Sequence, residues 1–424
     1  MKVLLDPEES DWPRLLLRPA LDIAVLDDEV RQILENVRYR GDEAVREYSR
    51  RFDNMVREDF RVSEDELAAA KDLLPKELVQ AILVASDNIR RFHAARQIPD
   101  VRLDTMPGVT CWTKTVPVQR VGIYIPGGSA PLFSTVLMLG IPAALAGCPE
   151  VVLCTPGSPN GSLNPAILFA ARVCGIKNVF RIGGAQAVAA MAYGTASVPA
   201  VDKIFGPGNQ YVTKAKQLVS QQGVGIDFPA GPSEVLIVAD ATADPGFIAA
   251  DLLSQAEHGA DSQVVLVALD EEIIPKVREE LVKQLETLPR KSFATKALQN
   301  GFIIYFPDRS QAMRFSNAYA PEHLIINTTD SDQLAKLVSN AGSVFLGPYS
   351  PEAAGDYASG TNHTLPTGGY ARIYGGISCA SFTKEITFQQ LTREGLGRLG
   401  PSVEVMAAAE GLEGHKKAIS VRLL

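Results

Sequence analysis

VGIYIPGGSAPLFSTVLMLGIPAALAGCPEVVLC, residues 121–154, carries the pattern that decides the fold. A short β-branched run leads through a Pro-Gly-Gly turn into a long apolar stretch at 131–146, then into a second apolar run. Strands buried on both faces read as continuous apolar runs, and their alternation with helices marks parallel βαβ units. The alternation continues outward through NVFRI (178–182), DKIFG (202–206), VLIVAD (235–240), QVVLVAL (263–269), FIIYF (302–306), HLIIN (323–327) and SVFLG (343–347). Helical stretches are expected between them at 164–174, 185–193, 211–221, 245–257, 271–286, 310–319 and 331–339. About nine such strands exceed one compact sheet domain, so the pattern predicts α/β architecture in two domains.

Upstream, residues 27–50 place Val30, Ile33, Leu34 and Val37 at helical spacing among dense charge, which predicts a surface helix. Ser63-Glu64-Asp65-Glu66 has the form of a capping box, and Pro75 opens a long helix to about Gln97. Downstream, residues 350–380 are rich in Gly, Pro, Ser, Thr and Asn, as a loop-borne site would be. Residues 381–424 are too short to hold a core and must pack on the body or on another subunit.

Composition narrows the function. The 424 residues carry 41 Lys+Arg against 49 Asp+Glu, a formal net charge of −8, which argues against a nucleic-acid-binding body. Five cysteines (111, 148, 154, 174 and 379) with no CxxC pair predict a reduced, cytoplasmic protein with structural cysteines, Cys111 preceding the first strand. The N-terminus turns acidic within six residues and offers no signal-peptide core. Pro142, Gly147, Pro149 and Glu150 interrupt the most apolar stretch, Val136 to Cys154, so no membrane span is expected there.

Four clusters can carry chemistry. Gln255 and His258 are three apart at a predicted helix end capped by Gly259, on one face, where an amide oxygen and an imidazole can share a metal. Taken alone, His258 reads more simply as a helix-dipole partner. Glu322 and His323 stand side by side before a strand; both reach one site only if the chain turns at Pro321, and a surface Glu beside a satisfied His is the other reading. Asp356 lies in a Gly-rich loop, aimed at a cation or simply forming a turn, and His363 reads as structural. Glu410 and His415 sit in the coreless tail, where a function requires reaching across to the main body; otherwise they end a solvated helix.

Gly395, Gly397 and Gly400 match GxGxxG, but in a tail with no strand expected before them. The turns Gly122–Gly128, Gly183–Gln186 and Gly206–Asn209 instead join strands to helices, where open parallel sheets bind ligands. Three such turns suggest a nucleotide-sized crevice without naming the nucleotide.

VGIYIPGG, RIGGAQA, IFGPGNQYVTKAK, GPSEVLI, LLSQAEHG, YAPEHL, GDYASGTNH and EGLEGHKKA occur in this order along nearly the whole chain. Together they resemble the histidinol dehydrogenase family. The resemblance implies oxidation of L-histidinol to L-histidine with two NAD and one water, through an enzyme-held aldehyde. It also implies one zinc per subunit and an aldehyde-dehydrogenase-like fold of two incomplete Rossmann-like domains with terminal arms. The expected division is an N-terminal arm (1–22), a larger domain (23–125 plus 235–378), an inserted NAD-side domain (126–234) and a C-terminal arm (379–424) exchanged in a homodimer.

Carried onto this sequence, the resemblance makes Gln255, His258, Asp356 and the partner subunit's His415 the zinc ligands. Glu322 and His323 become the proton-transfer pair. Ser233, Gln255, His258, His323, Asp356, Glu410 and His415 would line the substrate, and Tyr124, Gln186 and Asn209 would contact NAD. Three rivals remain at this point: a dehydrogenase of another small polar alcohol, a metal-dependent hydrolase with Glu322 as base, and a non-catalytic nucleotide-binding subunit.

Overall fold

The computed structural model describes residues 1–18, 26–55, 58–96, 99–127, 131–228 and 231–424. In chain order its strands are Lys2–Leu5 (β1), Arg102–Met106 (β2), Val109–Pro117 (β3), Arg120–Tyr124 (β4), Glu150–Thr155 (β5), Asn178–Arg181 (β6) and Lys203–Phe205 (β7). They continue with Gly225–Ile226 (β8), Glu234–Ala239 (β9), Gln263–Ala268 (β10), Phe302–Tyr305 (β11), His323–Asn327 (β12), Ser343–Leu346 (β13) and Thr383–Leu391 (β14). Every apolar run singled out above is a strand.

Two sheets are wholly parallel. One has five strands in the order β6-β5-β4-β7-β8, the other six in the order β1-β11-β10-β9-β12-β13. Each is clad on both faces, with one apolar cluster per face. That is why β9 and β10 are buried at every position: neither face meets water.

The N-terminal third is organised differently from the expected division. β1 is the edge strand of the six-stranded sheet, and Trp12 packs into that sheet's core, so residues 1–18 are no free arm. The helices between 27 and 94 pack around the five-stranded sheet, and β4 belongs to it, so the larger domain does not contain the block 23–125. The expected boundary at 22/23, the helix end at Gln97 and the turn residue Gly128 lie outside the described residues.

Local details refine the rest. Gly41, at φ +55°, breaks the expected single helix into Asp27–Arg40 and Asp42–Phe52. The capping box forms with both reciprocal bonds: the Glu66 amide donates to Ser63, and the Ser63 amide donates to Glu66. A helix at Lys291–Asn300 was not foreseen.

The tail starts as a strand. β14 pairs antiparallel with β3, and β2 completes a three-stranded sheet that carries Cys111 within β3, not ahead of the first strand. Two helices follow, Arg393–Ala409 and Glu413–Leu423. The GxGxxG stretch therefore does follow a strand, but Gly395 and Gly400 serve packing. A Cβ on Gly395 would stand 2.1 Å from the Gly108 carbonyl oxygen, and one on Gly400 2.8 Å from Ile419.

Candidate active site

Two regions gather the chemistry. The first lies at the amino ends of β9 and β12, which are neighbours in the six-stranded sheet with His323 in register with Val235. Glu322 precedes β12 and His323 opens it; Ala320, at φ +53°, turns the chain just before. That turn answers the strand-alternation problem, because both side chains reach one place: Glu322 Oε2 lies 3.7 Å from His323 Nδ1. The Glu234 amide donates to Glu322 Oε2 at 2.9 Å, and the Glu234 carbonyl lies 3.3 Å from His323 Nδ1. On the other side of the ring, Nε2 faces Asp356 Oδ1 at 3.3 Å.

Asp356 is on a helix, not in a loop. Glu352–Tyr357 forms a short turn of helix after Pro351, which places Glu352 and Asp356 one turn apart on one face. Gly355 permits this seat, since a Cβ there would stand 2.6 Å from the Phe345 ring of β13. Gln255 closes the helix Pro245–Ala256 with the cap at Glu257, so Gly259 is not the cap. With its amide turned to satisfy its neighbours, Gln255 donates to Glu352 Oε1 at 2.7 Å and Oε2 at 3.2 Å.

Gln255, Glu322, His323, Glu352 and Asp356 are all buried, while His258 is exposed. Burial pushes Glu322 up to about 8 against the pull of His323. Burial alone would lower His323, but the carboxylates of Glu352, Glu322 and Asp356 outweigh it and push it up to about 10. Burial raises Glu352 well above its ordinary range. Asp356 is held low because His323, His363 and His258 overcome its burial.

Three buried carboxylic groups around one imidazole make a cluster that favours a cation. His258, Glu352 and Asp356 each offer a ligand atom within 4.8 Å of the other two. His323 Nε2 and Asp356 Oδ1 are buried without an aligned hydrogen bond. This set of imidazole, carboxylates and an amide oxygen fits a divalent metal such as zinc.

Glu352 was missed by reading the sequence, although PEAAGDY does hold an acidic pair at i and i+4 behind a proline. Ser233 lies half-buried immediately before β9. Glu410 and His415 are exposed on the tail, at the end of one helix and within the next, and the cluster found among the described residues does not include His415. His363 is structural as expected: Nδ1 bonds the Asp356 carbonyl at 2.7 Å and Nε2 meets Thr135 Oγ1 at 3.0 Å. It ties the Asp356 helix to Phe133–Ala146, a helix of the five-stranded half.

The second region lies at the carboxyl ends of β4, β5 and β6. Tyr124, Gln186 and Asn209 line one cleft of about 870 Å³ there, with Asp53 and Gly184. The Gly184 amide donates to the Tyr124 hydroxyl at 3.0 Å, and Asn209 caps the helix Gln210–Ser220 by accepting from the Val212 amide at 3.1 Å. Gly206, at φ +123°, crosses directly over β4; a Cβ would lie 2.0 Å from the Tyr124 carbonyl oxygen. Cleft and cluster thus stand on different sheets, joined through His363.

The family model described as histidinol dehydrogenase matches residues 16–423. The chain is 54% identical to the histidinol dehydrogenase of Bacteroides thetaiotaomicron over 423 residues, covering 100% of this chain and 99% of that one. It is 52% identical to the histidinol dehydrogenase of Escherichia coli K12, covering 97% and 94%. The crystal structure of histidinol dehydrogenase from Elizabethkingia anophelis superposes with a TM-score of 0.98 at 52% identity, covering 100% of this chain and 98% of that one.

Proposed function

We propose, from the premise that this chain belongs to the histidinol dehydrogenase family and is an oxidoreductase, that it oxidises L-histidinol to L-histidine in two NAD-dependent steps in the cytoplasm. The observation that most supports this reading is the meeting of Gln255, His258, Glu322, His323, Glu352 and Asp356 in one cluster, with a nucleotide-sized cleft across the sheet boundary.

Gln255, His258 and Asp356 would hold zinc, with the partner subunit's His415 completing the set in a homodimer whose tails exchange. Bound there, zinc supplies positive charge that templates the substrate's imidazole and amine and offsets the carboxylates that otherwise hold His323 protonated. Tyr124, Gln186 and Asn209 position NAD, the hydride acceptor. Ser233 and Glu410 lie at the substrate.

His323 then removes the alcohol proton through Nε2 as the carbinol carbon loses its hydride, leaving the aldehyde. Glu322 takes a proton from water as the oxygen adds to that aldehyde, and His323 returns its proton to the former carbonyl oxygen, giving the hydrate and freeing His323 to act again. His323 removes a hydrate proton as the second hydride leaves, giving the carboxylic acid. Glu322 suits water activation because the Glu234 amide fixes one of its oxygens.

The test is NADH formation from L-histidinol by the purified protein, before and after chelation and zinc restoration. Two NADH per histidinol, lost on chelation and regained with zinc, is expected. Turnover of another alcohol but not histidinol, or histidinol turnover indifferent to chelation, would overturn the respective part. In stopped flow, Glu322→Gln should slow the second hydride transfer more than the first; equal losses would remove Glu322 from its role.

A further inference from the structure

Resting on the reading of Glu322 and His323 as the proton-transfer pair, we propose that Arg18 is a positioning residue for that pair. Its guanidinium joins the two stretches of backbone that aim them, one at Glu234 and one at Tyr319.

Glu234 meets both members of the pair through its main chain, since its amide donates to Glu322 Oε2 and its carbonyl lies 3.3 Å from His323 Nδ1. Its side chain is engaged elsewhere. The carboxylate is fully buried, and Arg18 donates to Oε2 through Nη2 at 2.8 Å and through Nε at 3.2 Å. The Gly368 amide donates to Oε1. The same Nη2 of Arg18 donates to the Tyr319 carbonyl at 2.6 Å, and Arg18 Cζ stands 3.5 Å from the centre of the Tyr319 ring. Tyr319 is the residue before Ala320, whose positive φ brings Glu322 and His323 to one place. The third nitrogen, Nη1, donates to the Leu16 carbonyl at 2.8 Å and ties the clamp to the N-terminal segment.

The ladder between β9 and β12 begins only at Val235 and His323, so it does not hold the turn that precedes His323. A non-glycine residue at positive φ persists only where its surroundings fix it. Arg18 supplies that fixation from one planar group, whose donors point in set directions at two acceptors. A buried ion pair adds little stability by itself, so what this one contributes is geometry. Neither Arg18 nor Glu234 is among the residues assigned to zinc, substrate or NAD. Loosening the clamp therefore slows chemistry without weakening binding.

Arg18→Lys tests this in the full-length, zinc-loaded protein, because lysine keeps the charge opposite Glu234 but lacks the fork. A displacement of about 1 Å can cost about 100-fold in rate, and this partial loosening should lower kcat about tenfold while KM for L-histidinol and for NAD stays within about twofold. In stopped flow both hydride transfers should slow alike, because the pair serves both steps. Arg18→Met, with a thermal melt to confirm folding, should lower kcat further. An unchanged kcat in Arg18→Lys, or a loss confined to KM or to bound zinc, overturns the assignment. Unimpaired hydride transfer in both Glu322→Gln and His323→Asn would sink the reading of the pair itself. Impaired transfer in those two beside an intact Arg18→Lys sinks this inference alone.

Discussion

Glu352→Gln separates a functional carboxylate from a structural one by the sign of two effects. Glu352 is 1% exposed and is clustered with Glu322 and Asp356. Its Oε1 lies 3.9 Å from His323 Nδ1, and it accepts the Gln255 amide. At an effective dielectric of 20, a unit pair at that distance attracts by about 4 kcal/mol, an upper bound on what His323 gains from this one neighbour. Against this stand burial and the two other carboxylates, the causes that raise Glu352 itself. An isosteric neutral residue removes the repulsion and the burial cost together, so the metal-free variant should be more stable by about 1–2 kcal/mol.

The metal site moves the other way. Gln255 keeps one neutral acceptor in place of the charged carboxylate that fixes its amide, and zinc affinity should fall about 10–100-fold. Urea unfolding of the chelated protein and competition of the loaded protein with a calibrated chelator read the two quantities. Higher apo stability with weaker zinc is the signature of a residue kept for function. Lower apo stability with unchanged zinc affinity would make Glu352 a packing residue and refute the reasoning.

Two further outcomes concern stability. Lys216 and Asp227 form a buried ion pair that also grips Gly206, with Lys216 Nζ donating to its carbonyl at 2.8 Å and its amide donating to Asp227 at 2.9 Å. Lys216→Met strands a buried carboxylate and should cost about 3–5 kcal/mol in urea unfolding, while adding Asp227→Leu should restore most of it; a double variant as weak as the single one would refute the pairing. His93 is fully buried with both ring nitrogens unpartnered, and burial, then Arg96, pushes it down to about 4 from an ordinary 6.5. The unfolded chain binds the extra proton between those values, so this contribution is complete above pH 6.5 and is lost as pH falls toward 4, by at most about 3 kcal/mol. His93→Leu should flatten the dependence of the urea midpoint on pH in that window, and parallel curves would exclude His93 as its source.

The strands at 121–125, 235–240 and 263–269 were legible because a segment buried on both faces must be apolar along its whole length. β1 and β14 were not: KVLL is an edge strand, and TKEITFQQL is mostly exposed, so neither carries that signature. The site shows the same contrast. Gln255, His258, Glu322, His323 and Asp356 stood out by residue type and by a family resemblance spread over the chain. Glu352 gave only an unremarkable acidic spacing, and Arg18 gave nothing at all, because its meaning depends on Glu234, 216 positions away.

Residue order alone settled what the fully buried segments become, since helix, strand and turn there follow from periodicity, glycine and proline within a few residues. Which segments become neighbours was decided only in three dimensions. β12 lies beside β9 across a separation in which two other strands of the same sheet intervene, and the N-terminal helices attach to the five-stranded sheet rather than the six-stranded one. The physical reason is that such neighbours are chosen by shape and apolar area over the whole folded chain. Adjacent residues do not encode that choice, and a buried carboxylate acquires its role only from the charges the fold brings around it.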